Sequence, residues 1–542
     1  MAPTDPPVQD SNDPKFNVVH EGKAEILQPN TVFYNPVQTF NRDLSVLVVD
    51  TFFANEYWTK KQKPRVAKKQ QRLRIIDALS ATGLRSIRYA KELECIGKVD
   101  EIIANDLSHK AVEIIQKNVE RNQVSNKVKI SNEDASNEFL SLLLYMSRRN
   151  DDRFVVIDID PFGCASPFID AAVQSILDGG ILMVTCTDMA ILCGNHSETC
   201  YAKYGSMSFK SVYCHELALR IVLKCIETSA NRYGRYIVPL LSISVDFYIR
   251  LFMQVSTSPA EAKLSASKTA NIYQCNGCNA FTLQKVGRIL LKNEQSSNVE
   301  SRYKYSPSSG PVVNKECSHC GHQHTFGGPI WSENLHDFDF VDLLKSRLKQ
   351  SETLGVKYET QKRLEGMLQV VSEEIDVPLY YTVDNLCRIM HCRAPNSEEI
   401  RSAILNAGFR VSYSHANRNS LKTDAPAEII WDIMRHWIRQ NSVDLTSFPE
   451  KDAGKIISMK NPTTSISFTL HEFAKPLSKE LELSRFQPNP IANWGPGALP
   501  RADAVDKRNK NQGKRHKNMK SDSELDETKK RKEDDSFVKI QL

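Results

Sequence analysis

Residues 73–86 read LRIIDALSATGLRS, and this stretch determines the predicted fold. It begins as an apolar, strand-like run, breaks at Ser80–Gly83, and then takes on helical periodicity over residues 84–93. A second apolar run at residues 101–106 again precedes a helical pattern, at residues 109–123. A strand followed by a helix, repeated in this way, predicts an α/β fold built on a parallel sheet.

The same alternation continues along the chain. Further strands of this sheet are predicted at residues 128–130, 154–160, 181–187 and 235–255, and helices at residues 167–177 and 207–233. A helical stretch is also predicted before the sheet, at residues 46–53. From about residue 326 the pattern is mainly helical, with a helix at 397–406, a strand at 409–414 and a polar turn at 417–420. This order of helices, strand and turn is compatible with a small RNA-contacting domain.

Length and composition exclude several classes of protein. A chain of 542 residues with 41% apolar and 25% charged residues is expected to form two or three globular domains. Its most apolar stretches, residues 181–193 and 236–255, are interrupted by charges and lack the roughly 20 unbroken apolar residues of a membrane span. The first twenty residues resemble neither a secretory nor a mitochondrial leader. We expect no membrane contact and a reducing compartment.

Basic residues concentrate in two segments. Residues 501–542 hold 13 Lys/Arg against 9 Asp/Glu, and residues 59–74 hold eight Lys/Arg and no acid, in a chain of net charge +6. Such runs are compatible with a nucleic-acid partner, and equally with solvated surface or an import signal. Because residues 507–520 and 529–532 resemble nuclear import signals, we expect the protein in the nucleus, with the cytoplasm as the alternative.

Acidic residues follow three successive predicted strands. Asp77, Asp106 and Asp134 each stand where a parallel strand ends, and a single glycine, Gly83, lies in the turn after the first strand. One acid in such a place is usually a turn former or a helix cap, but three favour a nucleoside cofactor. The lone glycine argues against a pyrophosphate cradle, which needs G-x-G-x-x-G. Asp106 is placed to accept ribose hydroxyls, and Asp134–Ala135 to border an adenine.

The fourth strand ends in Asp160-Pro161-Phe162-Gly163. This tetrapeptide could be only a tight turn, but its position at a strand's carboxyl end favours catalysis. An exocyclic amine of a nucleobase has its lone pair delocalised into the ring, so methyl transfer needs acceptors for the N–H protons. A carboxylate and a carbonyl held rigid by proline supply them, and the aromatic ring can stack on the base.

Paired cysteines predict a metal site. Two C-x-x-C pairs, Cys275/Cys278 and Cys317/Cys320, are separated by 38 residues (317 − 278 − 1) that include a polar, serine-rich insertion. Each pair can bind one face of a tetrahedral ion, and together they complete the four-thiolate shell of a structural zinc site. His319, His322 and His324 are alternative ligands. The other nine cysteines read as small core residues, and a nucleophilic role for Cys186 or Cys193 is not expected.

The chain resembles the eukaryotic tRNA guanine-26 N2-dimethyltransferases, a family of class I S-adenosylmethionine-dependent RNA methyltransferases. The resemblance covers roughly residues 20 to 500, including the zinc cysteines. Its motifs are, in order, Glu21–Ala24, Val32–Gln38, Asn41–Ser45, Asp77–Ser86, Asn105–Asp106, Asp160–Gly163 and Leu421–Pro426.

The resemblance implies a domain order. A Rossmann-like class I methyltransferase domain at residues 16–325 would carry the zinc-binding module at 275–320 as an excursion. A smaller, mainly helical α+β domain at residues 326–501 would contact tRNA. Residues 1–15 and a charged tail at 502–542 lie outside these domains and are expected to be disordered.

The resemblance also implies residue roles. Asp160 would be the catalytic carboxylate facing guanine N2, and Phe33 and Phe162 would flank a base flipped out of its stack. Residues expected to bind S-adenosylmethionine are Arg42 and Arg85 at the methionine carboxylate, Asp106 at the ribose, and Asp134 and Ala135 at the adenine. Without the resemblance, both arginines would be interpreted as surface ion pairs. Lys422 and Arg418 are candidate phosphate contacts, with a solvated loop as the alternative.

Two other functions remain open from the sequence. The first is a zinc-stabilised tRNA-binding chaperone without catalytic turnover, and the second is a methyltransferase for amines of DNA or protein. The presence of Asp160 and of the cofactor-site residues argues against the first, and the family motifs against the second. The sequence leaves the oligomeric state unknown.

Overall fold

The computed structural model describes residues 16–29, 38–54, 72–135, 153–291, 303–351 and 353–486. All of them belong to one compact unit, Met1–Pro496, while a second unit, Gly497–Leu542, lies outside the described residues. The predictions for residues 1–15 and 502–542, for Phe33 and for most of the basic run at 59–74 also fall outside them. Within the described ranges, no helix has both the length and the apolar character needed to cross a membrane.

A hairpin and a buried helix precede the main sheet. Strands β1 (Phe16–Glu21) and β2 (Ala24–Pro29) pair antiparallel around Gly22, whose φ of 57° is left-handed. Helix α1 (Thr39–Ala54) then runs almost wholly buried. It begins seven residues before the predicted start at residue 46, because its polar first turns are also buried and make hydrogen bonds that apolar periodicity does not reveal.

A seven-stranded sheet in the order β5-β4-β3-β6-β7-β9-β8 forms the centre of the molecule. Its strands are β3 (Arg74–Asp77), β4 (Glu101–Asn105), β5 (Val128–Ser131), β6 (Phe154–Ile159), β7 (Ile176–Cys186), β8 (Arg235–Val245) and β9 (Tyr248–Thr257). The five strands from β5 to β7 run parallel, as predicted. The prediction is wrong for β9, which runs antiparallel to both of its neighbours. Only two residues connect β8 to β9, too few for a crossover.

Helices cover both faces of this sheet, which makes the fold Rossmann-like. They are α2 (Leu84–Glu92), a 3₁₀ turn (Glu94–Lys98), α3 (His109–Arg121), α4 (Ser166–Ser175), α5 (Met189–Leu192), α6 (Ser197–Tyr204) and α7 (Cys214–Asn231). The single helix predicted at residues 207–233 starts only at Cys214. The preceding segment instead forms an antiparallel β-bridge, in which Met207 and Gly328 exchange backbone hydrogen bonds of 2.8 and 3.0 Å.

The chain then leaves the sheet for a cysteine-bearing excursion. Its elements are α8 (Pro259–Ala262), a 3₁₀ turn (Ser265–Lys268), β10 (Thr269–Cys275), β11 (Phe281–Lys285), β12 (Gly287–Leu291), β13 (Tyr303–Pro307) and β14 (His324–Trp331). Strand β10 lies between β11 and β14 in a small sheet, and β12 pairs with β13.

The remaining described residues are mainly helical. Their elements are α9 (Phe338–Gln350), α10 (Gln361–Glu373), β15 (Tyr381–Thr382), α11 (Val383–Ile389), α12 (Ser397–Asn406), β16 (Val411–Ser414), β17 (Asn417–Thr423), α13 (Ala427–Gln440), α14 (Ala453–Met459) and α15 (Leu477–Glu480). The predicted helix at residues 397–406 is confirmed. Residues 417–420, predicted as a turn, instead begin β17, which pairs with both β15 and β16.

Three apolar clusters hold these layers together. The first contains residues of α1, α2 and α3 and also of α9 and α10, which pack on the main sheet. The second contains residues of α4 and α7 on the opposite face of the sheet. The third joins the four cysteines Cys275, Cys278, Cys317 and Cys320 to the helices that follow β15. The cysteine module is therefore part of the C-terminal core.

One buried arginine connects the N-terminal elements. The guanidinium of Arg88 on α2 contacts Glu21 of β1 (2.8 Å), Asp43 of α1 (2.7 Å) and Glu92 (2.9 Å), and its side chain is fully buried. Burial opposes its charge, but the carboxylates, Glu92 foremost, raise the pKa of Arg88 above its usual value. Asp43 also accepts hydrogen bonds from the backbone N–H and the hydroxyl of Thr360, directly before α10.

Replacing Arg88 tests this connection. Arg88→Met leaves buried carboxylates without their cation, so we expect the free energy of unfolding to fall by about 3–5 kcal/mol. Arg121→Met is the matched control, because Arg121 pairs with Glu25 of the same hairpin but both side chains are partly exposed, 28% and 37%. That variant should cost less than about 1 kcal/mol. Urea denaturation measures both, and equal losses would contradict the assignment.

Candidate active site

The carboxyl ends of the parallel strands meet at one edge of the main sheet. The loops that follow these strands are connected by hydrogen bonds. Ser80 donates its N–H to the carbonyl of Asn105 (2.8 Å). The side chain of Asn105 donates to the carbonyls of Ala78 (3.1 Å) and Glu133 (2.9 Å). One asparagine thereby joins the ends of β3, β4 and β5, so the acids predicted at these ends, Asp77, Asp106 and Asp134, lie at one edge of the sheet, with Asp77 buried and Asp134 exposed.

The turn after β3 has an unusual backbone. Gly83, directly before α2, has φ 78°, and a Cβ there would lie 3.2 Å from Ile115. Ala81 also has a positive φ, 51°, which costs energy in a residue other than glycine. Its N–H donates to Asp106 Oδ2 (2.9 Å), while Asp106 Oδ1 accepts the N–H of Ser108 (2.9 Å). A carboxylate offers about four acceptor positions, so Asp106 keeps capacity for hydroxyl donors.

Asp160 lies directly after β6 and has two partners. Its Oδ2 accepts a hydrogen bond from Asn41 Nδ2 (3.2 Å) and one from Arg85 Nη2. Arg85 also donates through Nη1 to Asp158 Oδ2 (2.8 Å). The described residues give Asp160 Oδ1 no hydrogen bond, and the side chain is 19% exposed, so this oxygen remains available for an outside donor.

Asp158 is the buried carboxylate behind Asp160. Arg250 Nη1 lies 2.9 Å from Asp158 Oδ1, and the Tyr89 hydroxyl donates to Oδ2 at 2.7 Å. Burial favours the neutral acid, but Arg250 and Arg85 outweigh it and lower the pKa of Asp158 to about 2. Asp158 was not predicted as a site residue. The signal was an acid inside the apolar run of β6, because a buried charge requires a partner.

The two arginines predicted at the cofactor are both engaged by the protein. Arg42 binds Glu21 through Nε (2.6 Å) and Nη2 (2.5 Å), with 11% of its side chain exposed. Arg85, 8% exposed, bridges Asp158 and Asp160. Neither is a surface ion pair. The structure brings Arg85 and Asp160 into contact and places Arg42 one residue from Asn41 on α1.

The residues predicted at the adenine and at the target base differ in how exposed they are. Ala135 is buried in the second apolar cluster, whereas Asp134 is exposed beside it. The Phe162 ring is 77% exposed, and Leu107, which follows Asp106, is 64% exposed. Both side chains are therefore open to contact by a bound molecule. Leu107 was not predicted.

A second loop holds the Asp160–Gly163 segment in place. Gly163 donates its N–H to Thr187 Oγ1 (2.7 Å) and accepts the N–H of Thr187 at its carbonyl (2.9 Å). Thr187 follows β7, the strand next to β6 in the sheet. These two reciprocal hydrogen bonds fix the position of the Asp160–Gly163 loop relative to the end of β7.

The four predicted zinc cysteines converge at a separate place, where β10 ends and β14 begins. Their sulfur atoms all lie within 4.8 Å of one another, with Cys275–Cys320 at 3.3 Å and Cys278–Cys317 at 3.7 Å. A tetrahedral ion with Zn–S bonds of about 2.3 Å separates its sulfur ligands by roughly 3.8 Å, so the donor set fits Zn²⁺. None of the three nearby histidines belongs to this group of described residues.

One predicted phosphate contact is wrong. Lys422 is only 2% exposed, and its Nζ lies 2.6 Å from Glu374 and 3.0 Å from Glu216, a residue of α7. His415 also contacts Glu374, at 2.8 Å. Lys422 therefore neutralises buried glutamates and cannot reach a phosphate. Arg418 is exposed, with its guanidinium 4.5 Å from the centre of the Phe486 ring.

Asp77 has a raised pKa. Its carboxylate is buried at the end of β3 and accepts a hydrogen bond from Ser86 Oγ (2.9 Å). Burial and the neighbouring charge of Asp158 raise the pKa of Asp77 to about 6, against the opposing effect of Arg85. A raised folded-state pKa stabilises the fold below the unfolded value of 3.8, and this contribution is lost as the pH rises through about 6.

Asp77→Asn should therefore stabilise the protein more at pH 8 than at pH 5. Asparagine keeps an acceptor for Ser86 and removes the buried charge. We expect the difference in unfolding free energy between variant and wild type to grow by about 1.4 kcal/mol between these pH values. Chemical denaturation at both pH values measures it, and a pH-independent difference would contradict the perturbed titration.

Known proteins resemble the chain along most of its length. The model of a family described as N2,N2-dimethylguanosine tRNA methyltransferase matches residues 12–435. The tRNA (guanine(26)-N(2))-dimethyltransferase of Drosophila melanogaster is 43% identical over 557 residues, covering 95% of this chain and 93% of that protein. The mouse protein of the same description is 44% identical over 526 residues, covering 89% and 76%.

A solved structure shares the fold. Trm1 from Pyrococcus horikoshii, in complex with S-adenosyl-L-methionine, superposes with a TM-score of 0.61 at 27% sequence identity. The match covers 77% of this chain and 99% of that one.

Proposed function

This chain belongs to the N2,N2-dimethylguanosine tRNA methyltransferase family, and we infer from this that it is a tRNA (guanine(26)-N2)-dimethyltransferase. It transfers methyl groups from S-adenosylmethionine to the exocyclic N2 of guanine 26, giving N2,N2-dimethylguanosine. The structural observation that best supports this activity is the geometry of Asp160, a carboxylate at the carboxyl end of β6 with one oxygen held by Arg85 and Asn41.

We propose that Asp160 is the catalytic carboxylate. The lone pair of guanine N2 is delocalised into the ring, and acceptors for its N–H protons make this nitrogen a better nucleophile. Asp160 Oδ1, which the described residues leave without a hydrogen bond, would accept one such proton. The backbone carbonyl of Pro161 would accept a second hydrogen bond, and the Phe162 ring, exposed at the same loop, would stack on the base.

The donors and acceptors around Asp160 suit S-adenosylmethionine, which would supply an electrophilic methyl group when bound. Asp106 has acceptor capacity for ribose hydroxyls, and we assign Asp134 and Ala135 to the adenine, where exposed Leu107 offers an apolar contact. We assign Arg42 and Arg85 to the methionine carboxylate. A guanidinium has five N–H donors, so Arg85 can bind Asp158, Asp160 and a third carboxylate.

The partner follows from the same inference, whereas the place of action is proposed from the sequence. Since tRNA is the substrate, we propose that residues 326–501 contribute to its binding, in agreement with the mainly helical, mixed character of this segment. We further propose that the protein acts in the nucleus, on the basis of the basic runs at 507–520 and 529–532.

Zinc is proposed as a structural ion held by Cys275, Cys278, Cys317 and Cys320. Cys278→Ser should lower bound zinc from about one ion per chain to near zero, and should lower the thermal stability because the four sulfurs lie in the C-terminal apolar cluster. Cys225→Ser, a half-buried cysteine of α7, is the control and should keep its metal. Elemental analysis measures the zinc, and full metal content in Cys278→Ser would refute the site.

Asp160→Asn tests the catalytic assignment. With labelled S-adenosylmethionine and unmodified tRNA, we expect methyl incorporation to fall at least about 100-fold, because the amide cannot take a proton from N2. Binding of tRNA should change little. Asp170→Asn, an exposed carboxylate on α4, is the control and should keep full activity.

Mass spectrometry of the digested tRNA identifies the product. Retained activity in Asp160→Asn would reject its assigned role. Binding of tRNA without any methyl transfer by the wild-type protein would instead support a zinc-stabilised tRNA chaperone, and label in DNA or protein would support a different acceptor.

A further inference from the structure

A second carboxylate lies beside the loop that carries Asp160. Strands β6 and β7 are parallel neighbours, with Ile159 paired to Val184, so the residues that follow them emerge at the same edge of the sheet. Asp188 is the second residue after β7, and the residue before it, Thr187, is bound to Gly163 by two hydrogen bonds. Asp188 is therefore attached to the Asp160–Gly163 loop by short, fixed connections.

Asp188 does not cap the helix that follows it. Asp188 directly precedes helix α5, where an aspartate commonly accepts backbone N–H groups of the helix. Its side chain makes no such capping hydrogen bond. Both carboxylate oxygens instead face the hydroxyl of Tyr204, at 3.0 and 3.1 Å, and Tyr204 is only 2% exposed. A buried tyrosine thus orients the Asp188 carboxylate.

The Asp188 carboxylate has three weak, uncharged donors within the described residues: the Tyr204 hydroxyl, its own backbone N–H and the Cys164 thiol. The carboxylate is half-buried, and no lysine or arginine among the described residues forms an ion pair with it. Burial raises the pKa of Asp188, while the Tyr204 hydroxyl, then the charge of Lys203, and then the Asp188 N–H and the Cys164 thiol act in the opposite direction. Asp160, in contrast, is bound by Arg85. A partly desolvated carboxylate with acceptor positions to spare is stabilised by a ligand that brings N–H groups.

Guanine presents such groups side by side. Its Watson–Crick edge carries the N1–H and the N2 amine, whereas adenine has an acceptor lone pair at N1. We propose that Asp188 accepts a hydrogen bond from N1–H of the target guanine while Asp160 faces N2, so that two carboxylates recognise the edge of the flipped base. This inference rests on the proposed function.

Each methyl transfer would then affect the hydrogen bonds of the two carboxylates differently. Every methylation removes one N2–H, so the hydrogen bonding available to Asp160 declines from guanine to the monomethylated base. N1–H is untouched by either transfer. Asp188 would therefore hold the monomethylated intermediate as firmly as the unmodified base, which favours the second methylation.

A base lacking N1–H tests the proposal. Single-turnover rates would be measured with tRNA that carries guanine or 2-aminopurine at position 26, since 2-aminopurine keeps the exocyclic amine and lacks N1–H. We expect wild-type enzyme to prefer guanine by about 10- to 100-fold, the range for one hydrogen bond to a charged acceptor. Asp188→Asn should lose most of this preference. Comparing the ratio between proteins cancels the intrinsic reactivity of the two bases.

The outcomes separate the possibilities. An unchanged guanine preference in Asp188→Asn, or an equal loss of rate on both bases, would overturn the inference while leaving the methyltransferase activity in place. Absence of transfer to guanine 26 by the wild type would instead overturn the proposed function. Asp170→Asn should keep the wild-type ratio.

A second measurement avoids dependence on rates. The ratio of monomethylated to dimethylated guanosine at partial conversion should rise several-fold in Asp188→Asn, because the intermediate is held less firmly. The same ratio as in the wild type, in a variant that melts at the wild-type temperature, would contradict the proposal.

Discussion

The active-site edge depends on one buried carboxylate, Asp158. A charge without water is tolerated only when other charges and hydrogen bonds surround it, and Asp158 has Arg85, Arg250 and the Tyr89 hydroxyl. Because Arg85 spans from Asp158 to Asp160, the position of the proposed catalytic group is set from inside the sheet. Arg250 extends the same arrangement through Thr185 to β7 and through Ser45 to α1.

The N-terminal elements complete the site from the other side. Helix α1 carries Asn41 to Asp160 and Arg42 to Glu21, while Arg88 ties the hairpin, α1 and α2 into one unit. The polar residues of α1 are buried because they serve these contacts. Helix α1, which ends 19 residues before the first strand of the sheet (74 − 54 − 1), thus lines its carboxyl edge, and the site is assembled from both.

The sequence predicts the strand-helix order and the convergence of the four cysteines, because periodicity and spacing are local properties, and its motifs predict the family by resemblance. It does not predict the direction of β9, since an apolar strand looks alike in either direction and only the two-residue connection carries the signal. Lys422 was misjudged because its partners, Glu216 and Glu374, lie far away in the chain. The roles of Arg42, Arg85, Asp106, Asp134, Ala135, Phe33, Phe162 and Asp160 stay predictions, since contacts within the protein do not identify a ligand.

The buried position of Lys422 has a consequence for how the molecule melts. Its ammonium group on β17 is shared by a glutamate of α7 and a glutamate next to α10, with His415 alongside. Separating these elements would leave two anions and a cation unpaired in an apolar environment until water entered. A partly unfolded state would therefore have a high free energy. We accordingly expect the C-terminal strands and helix α7 to unfold together in a single cooperative event.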